Sequence, residues 1–152
     1  MLCHQSFGYP ARNRNWRDKI GFLIVILAAV AAFAFVAVWY NVMSKPWIKA
    51  AGIPVGANGK PMGNGSVMPF VVGFAAMLLV AGMMRHIFMM SELDTLMEGI
   101  MGGFGIGAFL ITPWMAMNYG FASRPAALSV LDGVNAVVGC TLMGVVFALF
   151  GT

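Results

Sequence analysis

The chain alternates long apolar runs with short polar breaks. Residues 20–40, 67–90, 96–119 and 125–150 are almost free of charge, and each is 21 residues or longer. At 1.5 Å per residue, about 20 helical residues cross the hydrocarbon core of a bilayer. The pattern therefore predicts an all-α polytopic membrane protein with four transmembrane helices. The first run follows four basic residues (Arg12, Arg14, Arg17 and Lys19) in a polar tail, residues 1–19. It exceeds the ~7–15 residues of a signal core, so it reads as an uncleaved first helix. The transmembrane domain then spans residues 20–152.

The breaks are distinctive. Ala37-x-x-Tyr40-x-x-x-Ser44-Lys45-Pro46 matches Ala116-x-x-Tyr119-x-x-x-Ser123-Arg124-Pro125 at a constant offset of 79 residues. This predicts two helical hairpins in parallel pseudo-repeat. Trp39, Tyr40, Trp47 and Tyr119 are expected as interfacial aromatics, with Lys45 and Arg124 as basic anchors. Ser44-Lys45-Pro46 predicts a short interfacial helix, with serine as cap and proline in its first turn. On that helix Trp47, Ile48 and Ala51 would face lipid while Lys45 and Lys49 snorkel. Gly52 to Gly65 reads as irregular loop.

Further signals lie inside the helices. Ser91-x-x-Asp94 and Thr95-x-x-Glu98 each fit a capping box before helix 3. Gly99, Gly103 and Gly107 form a small-residue ridge that admits a close helix backbone. Pro113 removes the backbone bond to Phe109 and predicts a kink. Arg85, at the end of helix 2, is expected to snorkel to the headgroups.

Composition agrees with a membrane protein: 61% of residues are hydrophobic and 9% charged, against about 25% charged in soluble domains. The net charge of +4 is concentrated in the tail, which suits an anionic membrane surface, and no nucleic-acid-binding motif is present. The basic cluster before helix 1 favours a cytoplasmic N-terminus, hence a cytoplasmic C-terminus, in a bacterial inner membrane. The tail would then face the acidic turn of Glu92, Asp94 and Glu98 on the same side. Cys3 and Cys140 read as two free thiols.

Candidate chemistry is sparse. Asp132 lies seven residues past Pro125, about 10 Å into helix 4, where ionisable groups are costly and face the bundle interior. Asn135 and Ser129 flank it at three-residue spacing, and Asn118 is a further intramembrane polar residue. The functional reading is a polar site with a basic partner from Lys45 or Arg124; the bland one is a clasp between hairpins. Met83, His86 and Met90 share one helix face and form a soft donor set suited to Cu(I), but methionine is used throughout as apolar filler. No metal or other cofactor is therefore expected. No nucleophile–base constellation appears, and Glu98 and Asp132 are expected at opposite membrane faces, so an enzyme is not expected.

Two stretches resemble a known family. Trp39-Tyr40 followed by Lys45-x-Trp47-x-Lys49-x-x-Gly52, and Asn118-Tyr119 followed by Arg124-Pro125-x-x-Leu128-x-x-x-Asp132, are similar to the domain of unknown function 1761 family of small, mostly bacterial membrane proteins. The last helix, with Gly139 and Gly144, fits as well. Family members usually carry an aromatic residue soon after the position of Asp132; Val134 and Asn135 stand there in this chain. The resemblance implies a four-helix integral membrane protein and no particular reaction. The expected role is a non-enzymatic accessory or scaffolding subunit, whose partners are the lipid bilayer and other membrane proteins or a second copy. The alternative is a small transporter or channel acting as an oligomer.

Overall fold

A computed structural model describes residues 11–56, 61–62 and 66–151, with side chains from residue 20 onward. The helices are α1 (Ala11–Val42), α2 (Ser44–Ala51), α3 (Met68–Met90), α4 (Leu96–Gly105), α5 (Thr112–Phe121) and α6 (Ala126–Phe150). A π-helical turn, Ile106–Ile111, joins α4 to α5 into one continuous span. Four segments are long and apolar enough to cross a membrane: Ile20–Val42, Met68–Met90, Leu96–Phe121 and Ala126–Phe150. The predicted spans hold, and the protein is an integral membrane protein.

α1 begins earlier than the apolar run predicts. Its 32 residues cover about 48 Å, more than the ~30 Å hydrocarbon core. Ala11 to Lys19, read as tail, thus continue the helix beyond the apolar segment. The tail's expected contact with the acidic turn falls on side chains outside the described residues, as does Cys3.

Local chemistry explains the ends of the helices. Of the two possible capping boxes, Thr95-x-x-Glu98 is the one that forms. Thr95 Oγ1 accepts from Glu98 N at 3.3 Å, and Glu98 Oε2 accepts from Thr95 N at 2.9 Å. Ser44 does not cap α2 as predicted. Met43 and Pro125 occupy the N-cap positions of α2 and α6, and neither makes a side-chain cap bond. Ser44 lies within α2. Ser123 instead has φ 53° at the end of α5, where Arg124 N bonds back to Tyr119 O at 2.9 Å. This six-residue closure ordinarily takes glycine at the left-handed position. Gly52 fills that place after α2 and Glu92 after α3, at φ 67° and φ 53°.

α6 is the organising helix. It packs on α1, on α4 and on the π turn with α5. The buried core is drawn from Ala28, Ala29 and Ala32 on α1, Met84 and Phe88 on α3, and Met143 and Phe147 on α6. Phe88 and Phe147 meet edge to face at 5.9 Å. Burial does not repeat with the hairpins: about a third of the most apolar stretch of α1 and of α6 is buried, against 11% in α3 and in the α4–α5 span. The parallel pseudo-repeat of two equivalent hairpins is therefore not supported, although the corner sequences do recur.

The glycine ridge finds its partner within the chain. A methyl group on Gly99 would lie 2.6 Å from the Gly144 carbonyl oxygen, and one on Gly107 would lie 2.6 Å from Val137 Cα. One on Gly103 would collide with the Cys140 carbonyl. The ridge steps antiparallel down α6 at four-residue spacing, and any side chain there would push the two backbones apart. Arg85 does not simply run out to the headgroups. Its guanidinium lies across Gly21 of α1, where an added methyl would come 2.6 Å from Cζ.

Pro113 acts through the π turn rather than a bare kink. The extra residue per turn relieves the clash between a proline ring and the carbonyl four residues back. Thr112 N and Thr112 Oγ1 both bond the Gly107 carbonyl, the latter at 2.8 Å, and Oγ1 also reaches Gly133 O at 3.3 Å. The turn is thereby tied to α6.

Candidate functional site

A carboxylate two turns into an apolar helix must find hydrogen-bond donors, since water is scarce there and an unpaired charge is expensive. Asp132 is 7% exposed, and it is the one buried polar or charged residue among those described. Its Oδ1 accepts from Tyr40 Oη at 2.7 Å and from Trp47 Nε1 at 3.0 Å. Its Oδ2 accepts from Tyr119 Oη at 2.7 Å. The donors come from α1, α2 and α5, so a single side chain of α6 gathers three other elements.

The elements deliver these donors for simple reasons. Tyr40 and Tyr119 each lie near the end of a span, where a phenol can keep its ring in apolar surroundings and its hydroxyl on a polar partner. α2 follows α1 after a single residue, which folds Trp47 back onto Tyr40; the two rings meet edge to face at 5.3 Å. Arg124 Nη1 donates to the Ala51 carbonyl at 3.4 Å, closing the end of α2 against the α5–α6 turn.

Several expectations change. Trp47 does not face lipid; it turns inward to Asp132. Lys45 and Lys49 are exposed as expected, but neither Lys45 nor Arg124 partners Asp132, whose three partners among the described residues are neutral. Phenol and indole donors satisfy the carboxylate without the cost of desolvating a second charge. Asn135 joins the centre, its Nδ2 donating to Tyr40 Oη at 3.3 Å. Ser129 does not, because it lines a separate groove between α5 and α6 with Thr112 and Gly133. Asn118 is exposed and takes no part. Trp39 packs at 6.0 Å from Phe35. Met83, His86 and Met90 all lie on an exposed face, Met90 at 73% exposure, so the three do not converge inside the bundle.

The aromatic donors carried a signal that residue spacing alone does not decode. The offset of 79 residues marks Tyr40 and Tyr119 as equivalent in sequence, and both donate to the same carboxylate, one to each oxygen.

A family model described as protein of unknown function (DUF1761) matches residues 23–148. The chain belongs to the DUF1761 family. Both corner sequences and all four residues of the Asp132 hydrogen-bond set fall inside the matched region. No curated protein and no solved structure matches the chain. The centre of this DUF1761 protein is a buried acceptor, held by three donors, that joins elements far apart in sequence beside a cleft.

The cleft measures about 390 Å³ and runs alongside the centre. Its floor is α1 and α6, and its walls are α3 and the π turn with α5. The α3 backbone comes close to α4 but not to the π turn or α5, so the walls stand apart at the level of the backbone. Tyr40, Tyr119, Asp132 and Asn135 line one end; Gly139, Cys140 and Met143 carry it further along α6.

Proposed function

We propose that this DUF1761 protein is a non-enzymatic accessory subunit of the bacterial inner membrane, with both termini in the cytoplasm, that packs against other membrane proteins or a second copy of itself. The observation that carries this reading is that Asp132 accepts from three donors of its own chain. A carboxylate so committed is suited to holding helices in place, less to releasing and rebinding a transported cation. The result is a fixed outer surface. Phe109, Trp114 and Phe121 are 74%, 69% and 88% exposed on the α4–α5 span. Next to them the α5–α6 groove, about 470 Å³ and lined by Ala108, Thr112, Ala116 and Gly133, offers small residues to an incoming helix. The glycine ridge no longer argues for a partner, because α6 occupies it.

The transporter reading retains one observation in its favour, the cleft that reaches Asp132 beside a π turn, a feature common at functional sites. Asp132→Asn separates the two. In an accessory subunit the variant loses thermal stability or partner capture in native-membrane extracts. In a transporter it assembles normally and loses flux.

A further inference from the structure

The hydrogen bonds of the centre fix the orientation of the Asn135 amide. Tyr40 Oη commits its proton to Asp132 at 2.7 Å. It can therefore only accept from Asn135, so the atom of Asn135 that faces it at 3.3 Å must be the amide nitrogen. That assignment leaves Asn135 Oδ1 as the outstanding group, and it is buried with no hydrogen-bond partner. A buried acceptor left unmade is costly and calls for a donor.

The charge balance points the same way. None of the three described donors to Asp132 carries a positive charge. Among the described residues, no lysine, arginine or histidine lines the cleft that runs past it. A zwitterionic or anionic headgroup would bring a phosphate or carboxylate against a described lining that has no cation to receive it. Beyond the polar end, the lining is alanine, valine, isoleucine, methionine, glycine and Cys140, and it follows α6 from Asp132 to Met143. That is about 16 Å of helix. The gap between α3 and α5 opens this lining sideways, toward the acyl chains.

We infer that the cleft between α3 and α5 binds a membrane-soluble cationic amphiphile: an apolar chain or ring system ending in an ammonium group that bears N–H. The N–H donates to Asn135 Oδ1, the positive charge lies beside Asp132, and the apolar body follows α6 toward Met143. This goes beyond the accessory role and does not depend on it, since an accessory subunit with or without such a ligand would assemble alike.

The test uses the full chain in phosphatidylcholine nanodiscs, with native mass spectrometry and titration as readouts. The probe is dodecylammonium. Dodecyltrimethylammonium keeps the charge but has no N–H donor; dodecanol keeps a donor but has no charge; dodecanoate reverses the charge. Dodecylammonium is expected to bind once per chain. The trimethyl compound and the alcohol should each bind about tenfold or more weakly, the loss of one charge-assisted hydrogen bond, and dodecanoate should not bind. Phosphatidylethanolamine, which offers the same ammonium on a phosphate, should not displace the probe; displacement would overturn the proposal. Gly139→Val supplies a variant that leaves the polar centre alone. A Cβ at Gly139 meets nothing within 4 Å, so the variant folds while its side chain fills the cleft, and saturable binding disappears. Asn135→Leu removes the acceptor and weakens binding about tenfold or more. If Gly139→Val binds dodecylammonium as well as the natural chain, or if all four probes bind alike, the cleft is no such site.

Discussion

Two regions hold α6 to the rest of the molecule, and they work by opposite means. Toward the end of α6, Gly99, Gly103 and Gly107 bring one backbone against another with nothing between them. Near its start, Asp132 reaches out to three long aromatic side chains. The first region relies on the absence of side chains and on short-range dispersion. The second relies on directed hydrogen bonds across 13 to 92 positions of sequence. In a bilayer, apolar side chains gain little from exchanging lipid for protein, so close packing and polar links are the two forces available. This protein uses one at each end of the same helix.

The contrast can be broken most severely at the seam. Gly103→Leu is expected to cost more than about 3 kcal/mol and to leave little folded protein, because the new side chain meets the α6 backbone and not a movable side chain. Thermal unfolding in detergent, with yield after size exclusion, measures it. Asp132→Leu should rank next, at about 2–4 kcal/mol, since it strands three donors at once. Its loss should appear as release of α2, seen as protease cleavage near Gly52. Tyr40→Phe is expected to cost about 1 kcal/mol more than Tyr119→Phe, because Tyr40 Oη takes part in two hydrogen bonds and Tyr119 Oη in one. The same unfolding assay on both variants checks the order. Smallest is Ser123→Gly, expected to stabilise by about 0.5–1 kcal/mol, because φ 53° suits glycine better than serine. A lower melting temperature for this variant would show that the corner depends on the Ser123 side chain.

The two regions also differ in how legible they are. The four spans could be read from apolar runs alone, and their ends fall within a few residues of those predicted, because bilayer thickness sets helix length. α1 is the exception, since its continuation past Lys19 has no apolar signal. The glycine ridge could be read as a ridge but not as a pair: spacing shows that a backbone can approach, not whose. Asp132 could be read as a buried charge, and Asn135 as its neighbour. Its partners could not, because a charge invites a search for opposite charges, and Lys45 and Arg124 stood nearby. Phenol and indole donors satisfy it while remaining compatible with membrane depth. Trp47 was the hardest to place. As a helix-surface tryptophan beside lysines it has every mark of a lipid anchor, and only the fold of α2 back against α1 turns it inward. Ser129 fits the helical spacing of Asp132, yet it faces the groove formed with α5, because the α5–α6 packing divides that face between two sides.

The central claim is that Asp132 is the common acceptor which ties α1 and α5 to α6. A double-mutant cycle of Asp132→Asn with Tyr119→Phe, read by equilibrium unfolding in one lipid or detergent, tests it most directly. The account predicts that the two losses overlap, with a coupling of about 0.5–2 kcal/mol between them. Strictly additive losses would mean that Tyr119 and Asp132 stabilise the protein independently, and the clasp would not exist.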